Sequence, residues 1–586
     1  MSRKDHTQLF SSSRRLPTPS RYILQFFILL IPIFIAYYGV FFHPLTHFMG
    51  TNQDPSQFMW YIANFWWSIL HGNNPFISDQ FAYPAGINLG LNTSIFTDAI
   101  IFGPIALIWS PVLAYNVAYI CSLLLIGAAM TWLLVQLKQP RVIALLGGVL
   151  AEISPFVTNQ SVDGHINFIT ALGFGLLATG FIWKSIAKAE RMSVLDAVMI
   201  GVLTAGVFYA SLEEALIFVG FLILAGAMLA MISRKYSEAI RGYLRYPFPW
   251  LSVAIFLLLA SPELFYYCKG SSGHVPVFPP GLFYTDLANS IIPTSAQLVH
   301  VPAWENVVSR FSGGLSETDG YIGIIMILVI TIFWRRQNRT ARRMMSGWLV
   351  LAAFFYLASM GDVLHIWGYR LDSLHLPWKL FGQLPVLDNI LPDRLDVVPD
   401  MILIVVTMSI LAQATSQRIN LSRILRGAMA FLLVLSWFPN VNFAVKTFPA
   451  SFAAFNAQET LLKQLRGSTA FVLTWDYWTF GNYMALFADK DIKLTNVYGF
   501  PYTKYNEYTN LSVKHYLRLT SIAMLNHLDK AGIETVLEAM HAGFDEHYIL
   551  YFPDDPAPLS GSLSSVLSHL YGPPKSYGGI EVWTVK

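Results

Sequence analysis

The sequence predicts a mostly α-helical, polytopic membrane protein that carries a small α/β domain at its C-terminal end. Of its 586 residues, 54% are hydrophobic and only 12% are charged, whereas a soluble domain carries about twice that charge. Apolar runs long enough to cross a bilayer recur up to about residue 444. The remaining residues, 445–586, are mixed and polar and contain no such run. The net charge of +3 is too small to indicate a nucleic-acid partner.

Hydropathy predicts about eleven membrane spans in residues 1–444, forming a helix bundle. They lie near residues 22–43, 115–137, 142–157, 167–187, 194–210, 215–233, 249–267, 320–334, 345–360, 399–415 and 427–441. Segment 95–113 is also apolar, but it contains an acidic residue and two prolines. Counting it as a span would also move the basic loops after it to the outer side. It is therefore predicted to form one or two helices that lie on the outer membrane surface or dip into it.

Basic residues are distributed unequally between the two sets of loops, and this predicts the orientation. One set holds 22 Lys and Arg residues and the other holds 5. The positive-inside rule makes the first set cytoplasmic. The N-terminus is then inside, whereas the outer loop 44–114 and the C-terminal domain 445–586 are extracytoplasmic. The first apolar run is too long for a signal-peptide core and is predicted to be an uncleaved anchor in the cytoplasmic (inner) membrane.

The outer loop 44–114 is rich in aromatic residues and contains no Lys or Arg. Asp54-Pro55 predicts the start of a helix, with Asp54 as its N-cap, and Gly72 predicts its end. Aromatic side chains repeat at helical spacing between these residues, which favours a helix lying in the membrane–water interface. The Asp54 carboxylate is then held at the outer surface, either as a simple helix cap or as a reacting group.

A second acidic motif, Asp163-Gly164-His165, lies in the predicted outer loop 158–166. Asp163 and His165 are spaced so that both side chains can bind one divalent cation, such as Mg²⁺ or Mn²⁺. An ordinary Asp-Gly turn between two spans explains the motif equally well.

Further charged residues gather on the outer side, where a carboxylate near the membrane needs solvent, a partner or a metal. Arg394 lies just before a span; it is suited to bidentate binding of a phosphate, or to a salt bridge with Asp393 or Asp396. Secondary candidates mark helix ends or structured outer loops. They are Asp98, Glu213, Glu214, Asp286, Glu317 and Asp319.

This plan resembles the GT-C superfamily of polytopic glycosyltransferases: a cytoplasmic N-terminus, one span, a long outer loop with an early Asp, and many further spans. The resemblance covers most of residues 1–444. The segments that carry it are Gln53-Asp54-Pro55, HGNNPF at 71–76, YPAGINL at 83–89, DGHIN at 163–167 and PDRLDVVP at 392–399.

The resemblance implies transfer of a sugar from a polyprenyl phosphate or diphosphate, with Asp54 as the acceptor-side carboxylate. Many members have two acids at that position, whereas Asp54 stands alone here. Asp163-x-His165 matches the metal-binding Asp-x-His form of the oligosaccharyltransferases in this superfamily. The segment WDYW at 475–478 is similar to their Trp-Trp-Asp-Tyr-Gly motif, but it lacks the second leading Trp and the final Gly.

The transferase interpretation assigns a role to each of these groups. Asp54 is the base or aligning group for the acceptor. Arg394 and His165, or a cation on Asp163 and His165, stabilise the departing phosphate. The predicted partners are the lipid-linked donor, membrane lipids, and a glycan, lipid or protein acceptor of the cell envelope.

The sequence leaves three alternatives to the transferase. The nearest is an oligosaccharyltransferase-like enzyme that glycosylates proteins. A transporter is less favoured, because it would carry charge and broken helices at mid-span, whereas the acidic residues here lie in outer loops. A structural assembly factor would have no need of Asp54.

Overall fold

The computed structural model describes residues 18–51, 53–91, 95–187, 193–270, 282–384, 387–416, 423–476, 478–496, 498, 520–544, 546–556 and 558–585. These residues are mostly helical. The helices of the first half are α1 (Thr18–Ala36), α2 (Tyr38–Phe42), α3 (Asp54–Leu70), α4 (Phe96–Ile108), α5 (Pro111–Gln136), α6 (Arg141–Glu152), α7 (Pro155–Asp163), α8 (Ile166–Ala187), α9 (Val194–Ala210), α10 (Leu212–Ile232), α11 (Arg234–Arg245) and α12 (Pro247–Gly270). The later helices are α13 (Glu305–Val308), α14 (Ile324–Trp334), α15 (Arg339–Ser359), α16 (Trp378–Phe381), α17 (Val397–Ser416), α18 (Arg423–Trp437), α19 (Ala450–Ala457), α20 (Glu459–Leu465), α21 (Ile522–Leu525), α22 (Lys530–Phe544) and α23 (Gly561–Tyr571).

The strands are short, and most of the longer ones lie near the C-terminal end. They are β1 (His47–Met49), β2 (Ile77–Ser78), β3 (Ile87–Asn88), β4 (Val363–Ile366), β5 (Tyr369–His375), β6 (Val445–Thr447), β7 (Thr469–Leu473), β8 (Lys493–Leu494), β9 (Tyr548–Tyr551), β10 (Lys575–Tyr577) and β11 (Ile580–Thr584). Three 3₁₀ turns matter for the site: Leu315–Glu317, Pro392–Asp396 and Thr479–Phe487.

Each of the eleven predicted apolar segments contains a helix, and several of these helices have the length of a membrane span. Among the described residues, six helical stretches are long and apolar enough to cross a membrane. They are Pro111–Gln136, Arg141–Asp163, Ile166–Ala187, Leu212–Ile232, Pro247–Gly270 and Pro392–Gln413. The other helices in these segments are shorter or less apolar. The chain is therefore a helical membrane protein, whereas the number of about eleven spans stays a prediction.

The apolar segment 95–113 forms the single short helix α4 and the start of α5. With 13 residues, α4 is about 20 Å long, short of the roughly 30 Å of a bilayer core. A new helix begins at Pro111, where the Ser110 hydroxyl oxygen accepts a hydrogen bond from the Val112 N–H. This length agrees with the prediction that the segment does not form a span of its own.

Helix α5 is central to the bundle and packs against α4, α6 and α8. Glycines allow the close approach of α5 and α6. A Cβ atom on Gly127 would lie 2.0 Å from the Glu152 carboxylate, and one on Gly148 would lie 2.2 Å from the Thr131 hydroxyl. Small residues at such contacts let the backbones of membrane helices approach closely.

The C-terminal end of the chain contains a five-stranded mixed sheet in the order β10-β11-β9-β7-β8. Strand β7 runs parallel to β8 and β9, while β11 is antiparallel to β9 and β10. This agrees with the predicted α/β character of residues 445–586.

Segment 44–114 is joined to the C-terminal part of the chain, including this sheet, by backbone hydrogen bonds. Strand β1 pairs with β6. The Leu494 N–H of β8 donates to the Gln80 carbonyl at 2.6 Å, and the Tyr83 N–H donates to the Leu494 carbonyl at 3.0 Å. These bonds cover the edge of the sheet, which would otherwise expose unpaired polar groups.

Helix α3 is enclosed by this arrangement over most of its length. Its residues 55–64 are buried, and Trp60 is fully so. The helix packs against α4 and against the 3₁₀ turn Thr479–Phe487 of the C-terminal domain. The aromatic residues Phe58, Trp60 and Tyr61 are buried inside the protein, a burial that the local pattern does not reveal. The place of the helix at the membrane–water interface stays a prediction.

Candidate active site

Asp54 is the first residue of α3, and its carboxylate does not cap the helix. The N-cap position is Gln53, and no side chain makes a capping hydrogen bond there. Asp54 Oδ2 lies 2.8 Å from His165 Nε2, and Oδ1 accepts a hydrogen bond of 2.6 Å from the Tyr498 hydroxyl. The Asp54 side chain remains 21% exposed. The capping interpretation is therefore wrong, and the carboxylate is both oriented and accessible.

His165 reaches Asp54 because a tight turn follows α7. Most of the predicted loop 158–166 is helical, and Asp163 is the last residue of α7. Gly164 then adopts a left-handed conformation with φ of 74°. A Cβ atom at this position would lie 2.7 Å from the Tyr115 hydroxyl and 2.8 Å from the Met49 carbonyl. Glycine is therefore required both by its backbone conformation and by the close contact with the first outer loop.

Gln160 holds the other side of the His165 ring. Its Nε2 donates to the Ser316 carbonyl at 2.7 Å and to Asp319 Oδ2 at 2.6 Å. Its Oε1 lies 2.7 Å from His165 Nδ1. Gln160 is one turn before Asp163 on α7, and it connects Asp54 and His165 to the loop that precedes α14.

Asp319 is fully buried and lies between Gln160 and the segment that contains Arg394. Burial raises the pKa of Asp319 well above its ordinary value, and the nearby charge of Asp393 raises it further. Asp319 does not cap the next helix, because the N-cap residue of α14 is Gly323.

Asp163 and Glu317 lie on the same side of the site as Asp319. Asp163 Oδ2 accepts a hydrogen bond of 2.5 Å from the Ser316 hydroxyl. Glu317 Oε2 accepts one of 2.7 Å from the Gly314 N–H, while its Oε1 lies 3.5 Å from Arg394 Nη2. Glu317 thus stabilises its own turn and faces Arg394.

Arg394 is buried at the N-terminal end of α17, in the 3₁₀ turn that precedes it. Its guanidinium carbon lies 4.6 Å from the centre of the Phe168 ring, and its Nε lies 3.8 Å from Asp393 Oδ2. Within the described residues, Nε and Nη1 have no hydrogen-bond partner. The predicted alternative of a salt bridge to Asp396 is wrong, since Asp396 accepts hydrogen bonds from Thr285 and Ser359.

The other secondary candidates have different surroundings. The Asp98 carboxylate is buried and accepts a hydrogen bond of 2.8 Å from Thr170, between α4 and α8. Asp286 accepts hydrogen bonds from the N–H groups of Trp367 and Gly368 and so orders the turn between β4 and β5.

Glu213 and Glu214 lie close to the Arg394 segment, at the start of α10. Glu213 Oε1 accepts a hydrogen bond of 2.8 Å from the Leu391 N–H, just before the turn that carries Arg394. Glu214 is buried and lines a cavity between the membrane helices. Glu213 therefore supports the position of Arg394 through the backbone.

An apolar cavity of about 360 Å³ begins one helical turn below the Phe168–Arg394 contact. Leu172 on α8 and Val398 on α17 line it at this end, together with Glu214. Gln413 and Tyr236 line its other end. The cavity thus extends along the membrane helices away from the charged cluster.

The predicted metal ligands are close to each other but are bound to different partners. His165 contacts Asp54 and Gln160, while Asp163 contacts Ser316. In the part of the chain that the structure describes, no group of three or more His, Cys, Asp or Glu side chains is arranged to hold a metal ion. These residues, as arranged, do not form a complete cation site.

Sequence reasoning missed Tyr498 and Gln160. Gln160 lies three residues before Asp163, one turn along the same helix, so that spacing was an available signal. Tyr498 had none, because 444 positions separate it from Asp54. In the WDYW segment, Tyr477 lies outside the described residues, and the Asp476 carboxylate accepts hydrogen bonds from the backbone and side chain of Thr479.

The fold is similar to those of two glycosyltransferases of known structure. The arabinofuranosyltransferase AftD from Mycobacteria has a TM-score of 0.55 at 10% sequence identity, covering 97% of this chain and 42% of its own. The archaeal oligosaccharyltransferase AglB from Archaeoglobus fulgidus, in complex with an inhibitory peptide and a dolichol-phosphate, has a TM-score of 0.49 at 12% identity, covering 91% of this chain and 69% of its own. Comparison with protein-family models gave no match, and neither did comparison with curated proteins. At 10% identity the likeness to AftD shows a similar fold, as the predicted resemblance implied.

Proposed function

We propose that this protein is an integral-membrane glycosyltransferase that moves a sugar from a polyprenyl phosphate or diphosphate to an acceptor at the outer face of the membrane. The observation that carries the proposal is the Asp54 carboxylate. It is accessible to solvent and held by side chains from two distant parts of the chain, His165 and Tyr498. A carboxylate oriented in this way is suited to align a nucleophile and to accept its proton.

In the proposed reaction, a hydroxyl or amine of the acceptor attacks the anomeric carbon of the donor sugar. The bond between that carbon and the phosphate oxygen breaks, and the phosphate leaves with the bonding electrons. Asp54 takes the proton of the attacking group. The partly paired guanidinium of Arg394 supplies positive charge for the departing phosphate. Phe168, Asp393 and Glu317 already hold the guanidinium in place, so it does not have to move during the reaction.

The donor lipid is proposed to occupy the apolar cavity below Arg394. A polyprenyl chain is apolar, and so is most of the cavity lining. Pockets of this kind bind by apolar contact and orient the ligand through a few polar groups. Leu172 and Val398 would contact the chain, while Arg394 would lie near its phosphate.

Orientation follows from the distribution of basic residues. We propose a multi-pass protein of the cytoplasmic membrane with its N-terminus inside and its C-terminal domain, 445–586, outside. The acceptor is then an envelope glycan, lipid or protein. Mass spectrometry of envelope glycans and glycoproteins from a deletion strain and its parent would identify it. A missing protein-linked glycan would favour the oligosaccharyltransferase-like alternative.

The test of the proposed function is Asp54→Asn. The substitution keeps the size of the side chain and removes the proton acceptor, so transfer of labelled sugar in membranes should fall by about 10²–10⁴. The matched control is Asp79→Asn in the same loop, where the carboxylate is 64% exposed and pairs with Lys493. Rates are normalised to the amount of folded protein in detergent. An Asp54→Asn protein within a few-fold of wild type would refute the mechanism.

A further inference from the structure

We propose that Tyr498 of the C-terminal domain is a positioning residue of the transfer reaction, aligning the Asp54 carboxylate through its hydroxyl. The inference rests on the proposed function and extends it. The membrane helices alone would then hold an incompletely oriented base. The C-terminal domain would be part of the catalytic unit and not a separate binding module.

The contact between Tyr498 and Asp54 has the geometry of a strong hydrogen bond. The hydroxyl oxygen of Tyr498 lies 2.6 Å from Asp54 Oδ1, within the range of about 2.5–2.7 Å for a hydroxyl that donates to a charged carboxylate. The Tyr498 side chain is 6% exposed, so water competes weakly for this bond. Asp54 Oδ2 is occupied by His165 from the opposite side.

Tyr498 is attached to the same face of α3 as the carboxylate that it contacts. The Gln57 side-chain amide donates a hydrogen bond of 3.1 Å to the Tyr498 carbonyl. Gln57 follows Asp54 by three residues, and residues three apart share a helix face. The backbone and the hydroxyl of Tyr498 are therefore both fixed to the first turn of α3.

Gly481 provides the space for the Tyr498 ring. A Cβ atom on Gly481 would lie 2.9 Å and 3.0 Å from two carbons of that ring, and 2.6 Å from the Gln53 Cβ atom. The Trp478 ring contacts Tyr498 edge-on at 5.9 Å between ring centres. Any side chain at position 481 must therefore displace the ring or the start of α3.

The surrounding contacts make this arrangement rigid. The Ser56 hydroxyl donates to the Asn482 carbonyl at 2.9 Å and accepts from the Ala485 N–H at 2.8 Å. Together with the pairing of residues 80–83 and β8, these bonds hold the C-terminal domain against α3. The Tyr498 hydroxyl is thus part of a docked surface, and its position follows that of α3.

This geometry assigns a specific role to the hydroxyl. A carboxylate has about four lone-pair positions on its two oxygens. The Tyr498 hydroxyl donates to one oxygen and the His165 ring contacts the other, which fixes the plane of the Asp54 carboxylate. Without the hydroxyl the carboxylate gains rotational freedom, and misplacement of a reacting group by about 1 Å can cost as much as 10²-fold in rate.

The experiment compares Tyr498→Phe with Tyr577→Phe. Tyr577 is in the same domain, and its hydroxyl donates to Gln464 Oε1 at 3.0 Å. Tyr498→Phe removes one oxygen and keeps the buried ring, so kcat should fall by about 10- to 100-fold with KM for the donor within about 2-fold. Tyr577→Phe should leave both constants unchanged. A Tyr498→Phe enzyme with wild-type kcat would overturn the inference.

A double-mutant comparison separates positioning from a merely structural role. Because Tyr498 acts through Asp54, Tyr498→Phe should reduce the residual activity of an Asp54→Asn protein no further. An equal fold-loss in both backgrounds would overturn the inference. Gly481→Ala is the second variant, since it keeps the hydroxyl but displaces the ring. It should show the same loss of kcat, and that loss should also vanish in the Asp54→Asn background.

The outcomes for the inference and for the proposed function differ. If Asp54→Asn is inactive and Tyr498→Phe is fully active, the inference fails and the proposed function stands. If Asp54→Asn is fully active, the proposed function fails first.

Discussion

Gly164 offers a quantitative test of how the site is assembled. It adopts a left-handed backbone conformation, with φ of 74°, and a Cβ atom there would lie 2.6–2.8 Å from Pro55, the Tyr115 hydroxyl and the Met49 carbonyl. The left-handed conformation costs a non-glycine residue about 1–2 kcal/mol. Forcing an extra methyl group into a packed site adds about 1–3 kcal/mol. Gly164→Ala should therefore lower the free energy of unfolding by about 2–5 kcal/mol in total.

Gly72→Ala is the matched control for this prediction. Gly72 has nearly the same φ, 73°, but a Cβ atom there would meet nothing within 4 Å. Gly72→Ala should lower the free energy of unfolding only by the cost of the left-handed conformation, about 1–2 kcal/mol. The difference between the two variants isolates the contact between the first outer loop and the turn after α7.

The measurement is unfolding of the purified protein in detergent, followed together with the transfer rate per folded molecule. Gly164→Ala should be the less stable variant by about 1–3 kcal/mol. It should also lose transfer activity, because His165 follows directly and would be shifted away from Asp54. Equal stabilities for the two alanine variants would refute the reasoning, since the close contact would then carry no energy.

Two further predictions concern acidity and metal. Burial raises the pKa of Asp319, so the folded protein binds the carboxyl proton more tightly than the unfolded chain does. The protonated carboxyl therefore contributes its full stability below a pH of about 4, the pKa in the unfolded chain. This contribution is lost as the pH rises through the raised pKa of the folded protein. Asp319→Asn should make the unfolding temperature fall less steeply as the pH rises. An unchanged dependence of the unfolding temperature on pH would contradict a raised pKa of Asp319. If Asp163 and His165 do bind Mg²⁺ or Mn²⁺ during the reaction, a chelator should abolish transfer and His165→Ala should reduce the dependence on metal. Full activity in chelator together with an active His165→Ala protein would contradict the predicted cation site.

Much of the helical framework is determined by local sequence. The eleven apolar segments each contain a helix, because a run of apolar residues must satisfy its backbone polar groups internally wherever lipid or other helices surround it. The short helix α4 is also predictable, since Pro111 starts a new helix. Gly164 in the turn after Asp163 follows from the same local logic.

The surroundings of Asp54 were decided by tertiary structure. The sequence by itself indicated an acid at a helix start, and the capping role predicted for it was wrong. Its partners are Tyr498 and His165, which are 444 and 111 positions away. No periodicity or spacing encodes contacts at such separations.

Tertiary structure also decided which residues pair with Arg394. Its partner Glu317 lies on a different loop, and its alternative partner Asp396 is instead taken up by Thr285 and Ser359. Sequence alone indicated which chemical groups lie in the segments between the apolar helices. Which of them touch was determined only when the 3₁₀ turn Thr479–Phe487 packed on α3 and the loop before α14 packed on α7. Such contacts form because a buried charge is costly unless it is paired or hydrogen-bonded, and the packing of the helices decides which partner is close enough.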